Sequence, residues 1–165
     1  MKTLYLLRHA KSSWDDDQAR DVDRPLNRRG KRDCGLVARE LQRSKRAMQH
    51  VYCSTAKRTR ATFKHIASEC DCFDGADIHY DDRLYTFDMQ ELLNWLKDLD
   101  NSLAHVMIIG HSPALGELCN YLYEGQIDHF GTCTFAELEI KVEFWDQLRT
   151  DSAKLVDIIR PKQLR

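Results

Sequence analysis

The sequence predicts an α/β fold: a three-layer α/β/α sandwich around a mainly parallel central sheet. Three observations carry this. Short apolar runs at Leu4–Leu7, Val51–Cys53 and Val106–Ile109 read as buried strands. Between them, apolar residues recur at i, i+3, i+4 and i+7, the spacing of amphipathic helices. Strands alternating with helices imply a parallel sheet covered on both faces. Near the end, Ala136, Leu138, Ile140, Val142 and Phe144 alternate with Glu137, Glu139, Lys141 and Glu143. That period of two marks a half-exposed strand, which would add an antiparallel edge to the sheet.

Taken in order, Leu4–Leu7 is the first strand. Residues 15–30 are charged and hold Pro25 and Gly30, so they read as a loop. Cys34, Val37, Ala38 and Leu41 then line one face of a helix. After the strand at Val51–Cys53, Ser54 or Thr55 caps the next helix, whose inner face is Phe63, Ile66 and Ala67. Ile78–Tyr80 reads as a short edge strand. Met89, Leu92, Leu93, Leu96 and Leu99 form another helical stripe. Val106–Ile109 is the clearest buried strand, and Pro113 suits the first turn of the helix that buries Leu115, Leu118, Cys119 and Leu122. Leu155–Ile159 reads as a last, more fully buried strand. With no repeat, low-complexity segment or linker, residues 1–165 are expected to form a single domain.

Composition excludes several classes of function. The 25 Lys and Arg balance 26 Asp and Glu, for a formal net charge of −1, which argues against a general nucleic-acid binder. No stretch approaches the roughly 20 apolar residues of a membrane span. The first apolar run is too short for a signal-peptide core, so a cytoplasmic location is expected. The six cysteines (Cys34, Cys53, Cys70, Cys72, Cys119, Cys133) show no Cys-x-x-Cys spacing, so they read as reduced thiols and not zinc ligands. No metal or other cofactor is expected, and no exposed apolar face defines an oligomeric state.

Chemistry concentrates where strands end. Arg8-His9 follows the first strand, Ser54–Arg60 the second, and Gly110-His111-Ser112 the strand at Val106–Ile109. In a parallel sheet these loops emerge on one edge, where open α/β sheets place their ligands. Arginine's planar fork matches phosphate oxygens. Histidine serves as nucleophile or proton carrier near neutral pH. An Arg-His pair alone suits a surface ion pair; its co-occurrence with Arg58 and His111 favours an oxyanion pocket. His50, His65, His79, His105 and His129 lack that context and read as structural or surface residues. Asp15-Asp16-Asp17 reads as a solvated loop, and Arg28, Arg29, Lys31 and Arg32 as a solvent-facing helix start near the rim. Trp14 is expected to pack against the loop after His9 and fix it.

Leu7-Arg8-His9-Ala10 resembles the Arg-His-Gly signature of the histidine phosphatase superfamily, the phosphoglycerate-mutase-like clan. Leu7-Arg8-His9-Ala10-Lys11-Ser12-Ser13-Trp14 is similar to its small SixA-type phosphohistidine phosphatase branch. Asp23-Arg24-Pro25-Leu26-Asn27 with Gly30, Ser54-x-Ala56-x-Arg58-Thr59-x-x-Thr62, and Gly110-His111-Ser112-Pro113 follow in the family's order, so the likeness covers residues 4 to about 120. The resemblance implies a phosphoglycerate-mutase-like fold. It implies that His9 is the nucleophile, with its other ring nitrogen held by a hydrogen bond to a backbone carbonyl. Arg8 and Arg58 would clamp the phosphoryl oxygens, and His111 would be the second, charge-stabilising histidine. Ser12, Arg24 and Ser112 would contact substrate at the pocket and its rim.

One departure bears on substrate. Larger members supply a carboxylic acid to protonate the leaving oxygen; in the mutases it is a Glu shortly after an Arg-Leu pair. Here Arg83-Leu84 is followed by Tyr85-Thr86, so Thr86 takes that place. A missing general acid typically costs about 10²–10⁴-fold, which matters less when a labile phosphoramidate bond breaks. Asp82, Asp88 and Glu91 lie nearby as alternative proton sources. The expected function is therefore a metal-independent phosphohydrolase acting on a phosphorylated partner, foremost a protein carrying phosphohistidine. A phosphatase of small phosphoesters is the alternative within the enzyme class. A non-catalytic module that binds phosphorylated ligands is the alternative outside it.

Overall fold

The computed structural model describes residues 1–165. Six strands form one sheet in the order β3-β2-β4-β1-β5-β6. They are β1 (Lys2–Arg8), β2 (His50–Ser54), β3 (Asp77–Asp81), β4 (His105–Gly110), β5 (Phe135–Ile140) and β6 (Ala153–Ile159). The helices are α1 (Arg28–Arg43), α2 (Lys57–Ser68), α3 (Met89–Lys97), α4 (Ala114–Leu122) and the short α5 (Pro161–Leu164). β3, β2, β4 and β1 pair in parallel, while β5 pairs antiparallel with both β1 and β6. The fold class is the one expected.

The pleat of β1 and β4 divides the core in two. Leu4, Leu6, Val106 and Ile108 face α3 and α4, whose Leu92, Leu96, Leu115 and Leu118 complete one apolar layer. Their neighbours Tyr5, Leu7, Met107 and Ile109 face α1 and α2 and meet Val37, Leu41 and Ile66. Both central strands therefore read as continuous apolar runs because both of their faces are covered.

Several boundaries differ from expectation. The 15–30 segment is not all loop: it holds a 3₁₀ turn at Asp21–Asp23, and α1 begins at Arg28. The Asn27 side-chain oxygen caps α1, accepting from the Gly30 amide at 2.8 Å. Gly30 sits inside the first helical turn because α1 presses against the chain that leaves β1. A Cβ at Gly30 would lie 2.2 Å from the Lys11 carbonyl oxygen. Gly30→Ala is thus expected to destabilise by about 1–3 kcal/mol through the backbone shift it forces, against the roughly 1 kcal/mol of helix propensity it gains. At Gly35 a Cβ meets only the ends of the flexible side chains Glu69 and Arg39, so Gly35→Ala should cost little. Urea denaturation of both variants checks the contrast.

Neither Ser54 nor Thr55 caps α2; Ala56 occupies that position. Ser54 completes β2 and turns its hydroxyl toward His111, whereas the Thr55 hydroxyl donates to Asp82 at 2.7 Å. The Thr59 hydroxyl lies 2.8 Å from the carbonyls of Ser54 and Ala56 and holds that turn instead. The alternating strand stops at Ile140, because Phe144 opens a turn that drops Trp145 into the core, its indole donating to the Leu103 carbonyl. β6 is less buried than β5, not more: it is an edge strand paired on one side only, and Val156 is 46% exposed. Trp14 does not pack inward either; it is 70% exposed.

Candidate active site

β1, β2 and β4 run parallel, so their C-terminal ends meet at one edge of the sheet. Arg8 pairs in register with Gly110, which sends His9 and His111 off adjacent strands together. Their ring centroids are 5.4 Å apart. The His9 backbone is pinned on both sides: its amide donates to the Gly110 carbonyl, and its carbonyl accepts from Cys133.

His9 Nδ1 lies 2.7 Å from the Ala10 carbonyl oxygen. A carbonyl only accepts, so Nδ1 carries the proton and Nε2 keeps its lone pair. The Ala10 amide donates to Thr62 Oγ1 at 2.9 Å, and that hydroxyl donates to the Arg58 carbonyl at 2.7 Å. Thr62 therefore ties the His9 loop to the helix that carries Arg58.

Arg58 is 2% exposed. Its Nη1 donates to the Asp21 carbonyl and its Nη2 to the Asp21 carboxylate at 3.0 Å. The same Nη2 lies 3.4 Å from His111 Nδ1, and His111 Nε2 lies 2.8 Å from the Ser54 hydroxyl. These partners select the His111 tautomer protonated at Nε2. Arg24 Nε is 3.4 Å from the other Asp21 oxygen. The Arg24 guanidinium lies 3.5 Å from the Trp14 ring centroid. Arg8 donates to the Phe130 carbonyl at 3.1 Å.

Four buried side-chain nitrogens in the protein lack a hydrogen bond: Arg8 Nε, Arg24 Nη1, Arg58 Nε, and Arg24 Nε, whose contact with Asp21 is an ion pair only. All belong to the three arginines gathered near His9. Buried guanidinium donors are costly to leave unpaired, and oxyanions are their natural partners. The electrostatics agree. Burial, then the charges of Arg58, Arg8 and Arg24, lowers the His9 pKa to about 4, against the opposing Ala10 bond. Burial and Arg58 lower His111 to about 3. Both imidazoles are therefore neutral at pH 7, and the positive charge resides on the arginines. Burial alone would raise the Asp21 carboxyl, but hydrogen bonds from Tyr85 and Arg58 and the nearby guanidinium charges hold it below its usual range. No group of three or more His, Cys, Asp or Glu side chains clusters as a metal cage.

The sequence matches the family description "Histidine phosphatase superfamily (branch 1)" over residues 4–99. The chain belongs to the histidine phosphatase superfamily. Among its relatives, an uncharacterized chloroplastic protein of Arabidopsis thaliana is 31% identical over 155 residues, spanning 88% of this chain and 70% of that protein. A candidate phosphohistidine phosphatase SixA from Nakamurella multipartitia has a similar structure, with TM-score 0.80 at 27% identity over 97% of this chain and 96% of that one. A second, from Agrobacterium tumefaciens, has TM-score 0.81 at 25% identity over 97% and 98%.

In this histidine phosphatase the fold brings together Arg8, His9, Arg58 and His111, as well as Arg24. Ser12 is buried, and its backbone pairs with Leu26. Ser112 lies one step away: its hydroxyl donates to the same Phe130 carbonyl as Arg8, and both line a cleft of about 290 Å³. The three carboxylates considered as proton sources form no hydrogen bond or ion pair with the pocket histidines or arginines. Asp82 accepts from Thr55, Asp88 caps α3, and Glu91 accepts from the Thr86 hydroxyl. Sequence reasoning missed Asp21, Tyr85 and Phe87. The Tyr85 and Phe87 rings lie 5.3 and 5.4 Å from His111. Asp21 is hidden among five aspartates between residues 15 and 23, and nothing in their spacing marks one as inward-facing. No helix is long and apolar enough to cross a membrane.

Proposed function

We propose that the chain is a phosphohydrolase working through phosphohistidine on His9, with phosphohistidine in a protein as its preferred substrate. The observation that carries this is the bare Nε2 of His9 set among three arginines with unpartnered donors. The phosphoryl oxygens bind Arg8 and Arg58, with Arg24 at the rim. His9 Nε2 attacks phosphorus as the bond to the leaving group breaks. The negative charge on the oxygens is met by preorganised guanidinium donors, the arrangement that most lowers barriers of this kind. Charge supplied by three arginines needs no metal. The dianion also offsets the arginine charges that keep His111 neutral, so His111 gains a proton more readily once substrate is bound. Water then cleaves phospho-His9, releasing inorganic phosphate and restoring the imidazole.

The preference for phosphohistidine rests on the leaving-group side. Thr86 replaces the expected carboxylate, and its hydroxyl is committed to Glu91. A leaving alkoxide needs a proton at once, and losing its donor typically costs about 10²–10⁴-fold. An imidazole leaves a phosphoramidate linkage more easily. A panel of phosphohistidine on a carrier protein, phosphoramidate, an aryl phosphate and sugar phosphates tests the reading. The first three should turn over, with sugar phosphates slower by two orders of magnitude or more. Faster hydrolysis of sugar phosphates would favour the phosphoester reading. Tight phosphate binding with no turnover of any substrate would favour a non-catalytic module.

A further inference from the structure

Phe87 is 47% exposed, a large apolar ring left open to solvent on a protein whose core is well supplied. Its ring is not part of either apolar layer. It packs instead on two aromatic neighbours, Tyr85 at 5.7 Å and His111 at 5.4 Å. Tyr85 meets His111 edge-on at 5.3 Å. Two flanking interactions hold this pair in place. The Tyr85 hydroxyl donates to the Asp21 carboxylate that also grips Arg58. Between the two rings, Thr86 is buried and bonded to Glu91, anchoring the segment to the start of α3. The Phe87 ring therefore stands at the pocket wall on a fixed base.

We infer that Tyr85 and Phe87 form a leaving-group subsite that takes a flat aromatic or heteroaromatic ring, and that this wall, rather than an acid, selects the substrate. The inference rests on the phosphatase reading above. A phosphoryl group held by Arg8 and Arg58 beside His9 and His111 carries its leaving group into the space these rings border. An aromatic face there gains by burying a planar ring and by offset or edge-to-face contact. An imidazole or phenyl ring suits it; a flexible polyhydroxylated chain does not. The wall substitutes binding of the leaving group for its protonation, matching the loss of the carboxylate at Thr86.

Phe87→Ala, with Phe87→Trp as the conservative control, separates this from a general role. Rates are compared on phenyl phosphate and phosphoimidazole, which carry a ring, and on phosphoramidate, which does not. Phe87→Ala should lower kcat/KM on both ringed substrates about five- to tenfold more than on phosphoramidate, and Phe87→Trp should restore the ringed substrates. An equal loss on all three substrates, or no loss on any, overturns the subsite while leaving the phosphatase reading intact. Failure of the unaltered protein to turn over any of the three overturns that reading instead.

Discussion

His9→Ala is expected to reduce turnover of an aryl phosphate by about 10⁴-fold or more, since the other pocket histidine, His111, is engaged at both ring nitrogens and cannot take over the attack proposed for His9. An aryl phosphate is the appropriate probe because its leaving group needs no acid. Wild-type protein quenched during turnover should hold acid-labile, alkali-stable phosphate, and the variant should hold none. The His9 side chain hydrogen-bonds only to the carbonyl of its own neighbour, so the variant should still fold, which circular dichroism checks. Equal rates in the two proteins would remove His9 from the chemistry.

Arg58→Ala should lower kcat by about 10²–10³-fold, the usual effect of removing one preorganised donor to developing negative charge. It carries a second signature. Arg58 is among the charges that hold His9 at about 4 and His111 at about 3. A histidine beside a cation resists protonation, so removing the cation raises both pKa values toward 6.5. Protonated His9 cannot attack, so the acid limb of kcat/KM should move upward in pH. Arg58→Lys keeps the charge and loses the planar fork, so it should retain the wild-type limb while remaining slow. Profiles for the three proteins on one substrate share the substrate's own ionisation, and their difference belongs to the enzyme. An unshifted limb in Arg58→Ala would show that burial and the remaining arginines set the histidine pKa values without Arg58.

The parts of the fold legible in sequence were those governed by one dominant force. β1 and β4 are buried on both faces, so Leu4–Leu7 and Val106–Ile109 could hardly be anything else. The stripes of α1, α3 and α4 each face one apolar layer and kept their period. Prediction failed where a local signal competed with a tertiary one. Ser54 is a good helix cap by chemistry, but β2 claims its backbone and its hydroxyl turns to His111. Gly30 signals a break, yet here it permits close contact between α1 and Lys11. Leu155–Ile159 has the composition of an inner strand but lies at the sheet edge, and position in a sheet is not written in any single strand. The pocket was readable as far as its residues ended strands or opened helices. Arg8, His9, Arg58 and His111 met that condition. Asp21 and Phe87 reach the pocket from a charged loop and an irregular connection, which carry no period to place them.

The pairing of β1 with β4 also bears on how the protein loses structure. Arg8 and Gly110 close a parallel ladder whose members from Leu4 to Leu7 and from Val106 to Ile109 are almost wholly inaccessible to water. Amide hydrogens there should be the slowest in the molecule to exchange, opening only with global unfolding. The two imidazoles are mounted on the ends of that ladder. The Asp21–Asp23 turn and the Tyr85–Phe87 wall lie outside the sheet, and their amide hydrogens should exchange sooner. His9, the proposed nucleophile, is thus mounted on the last part of the protein to melt, while the aromatic wall beside His111 rests on segments outside that ladder.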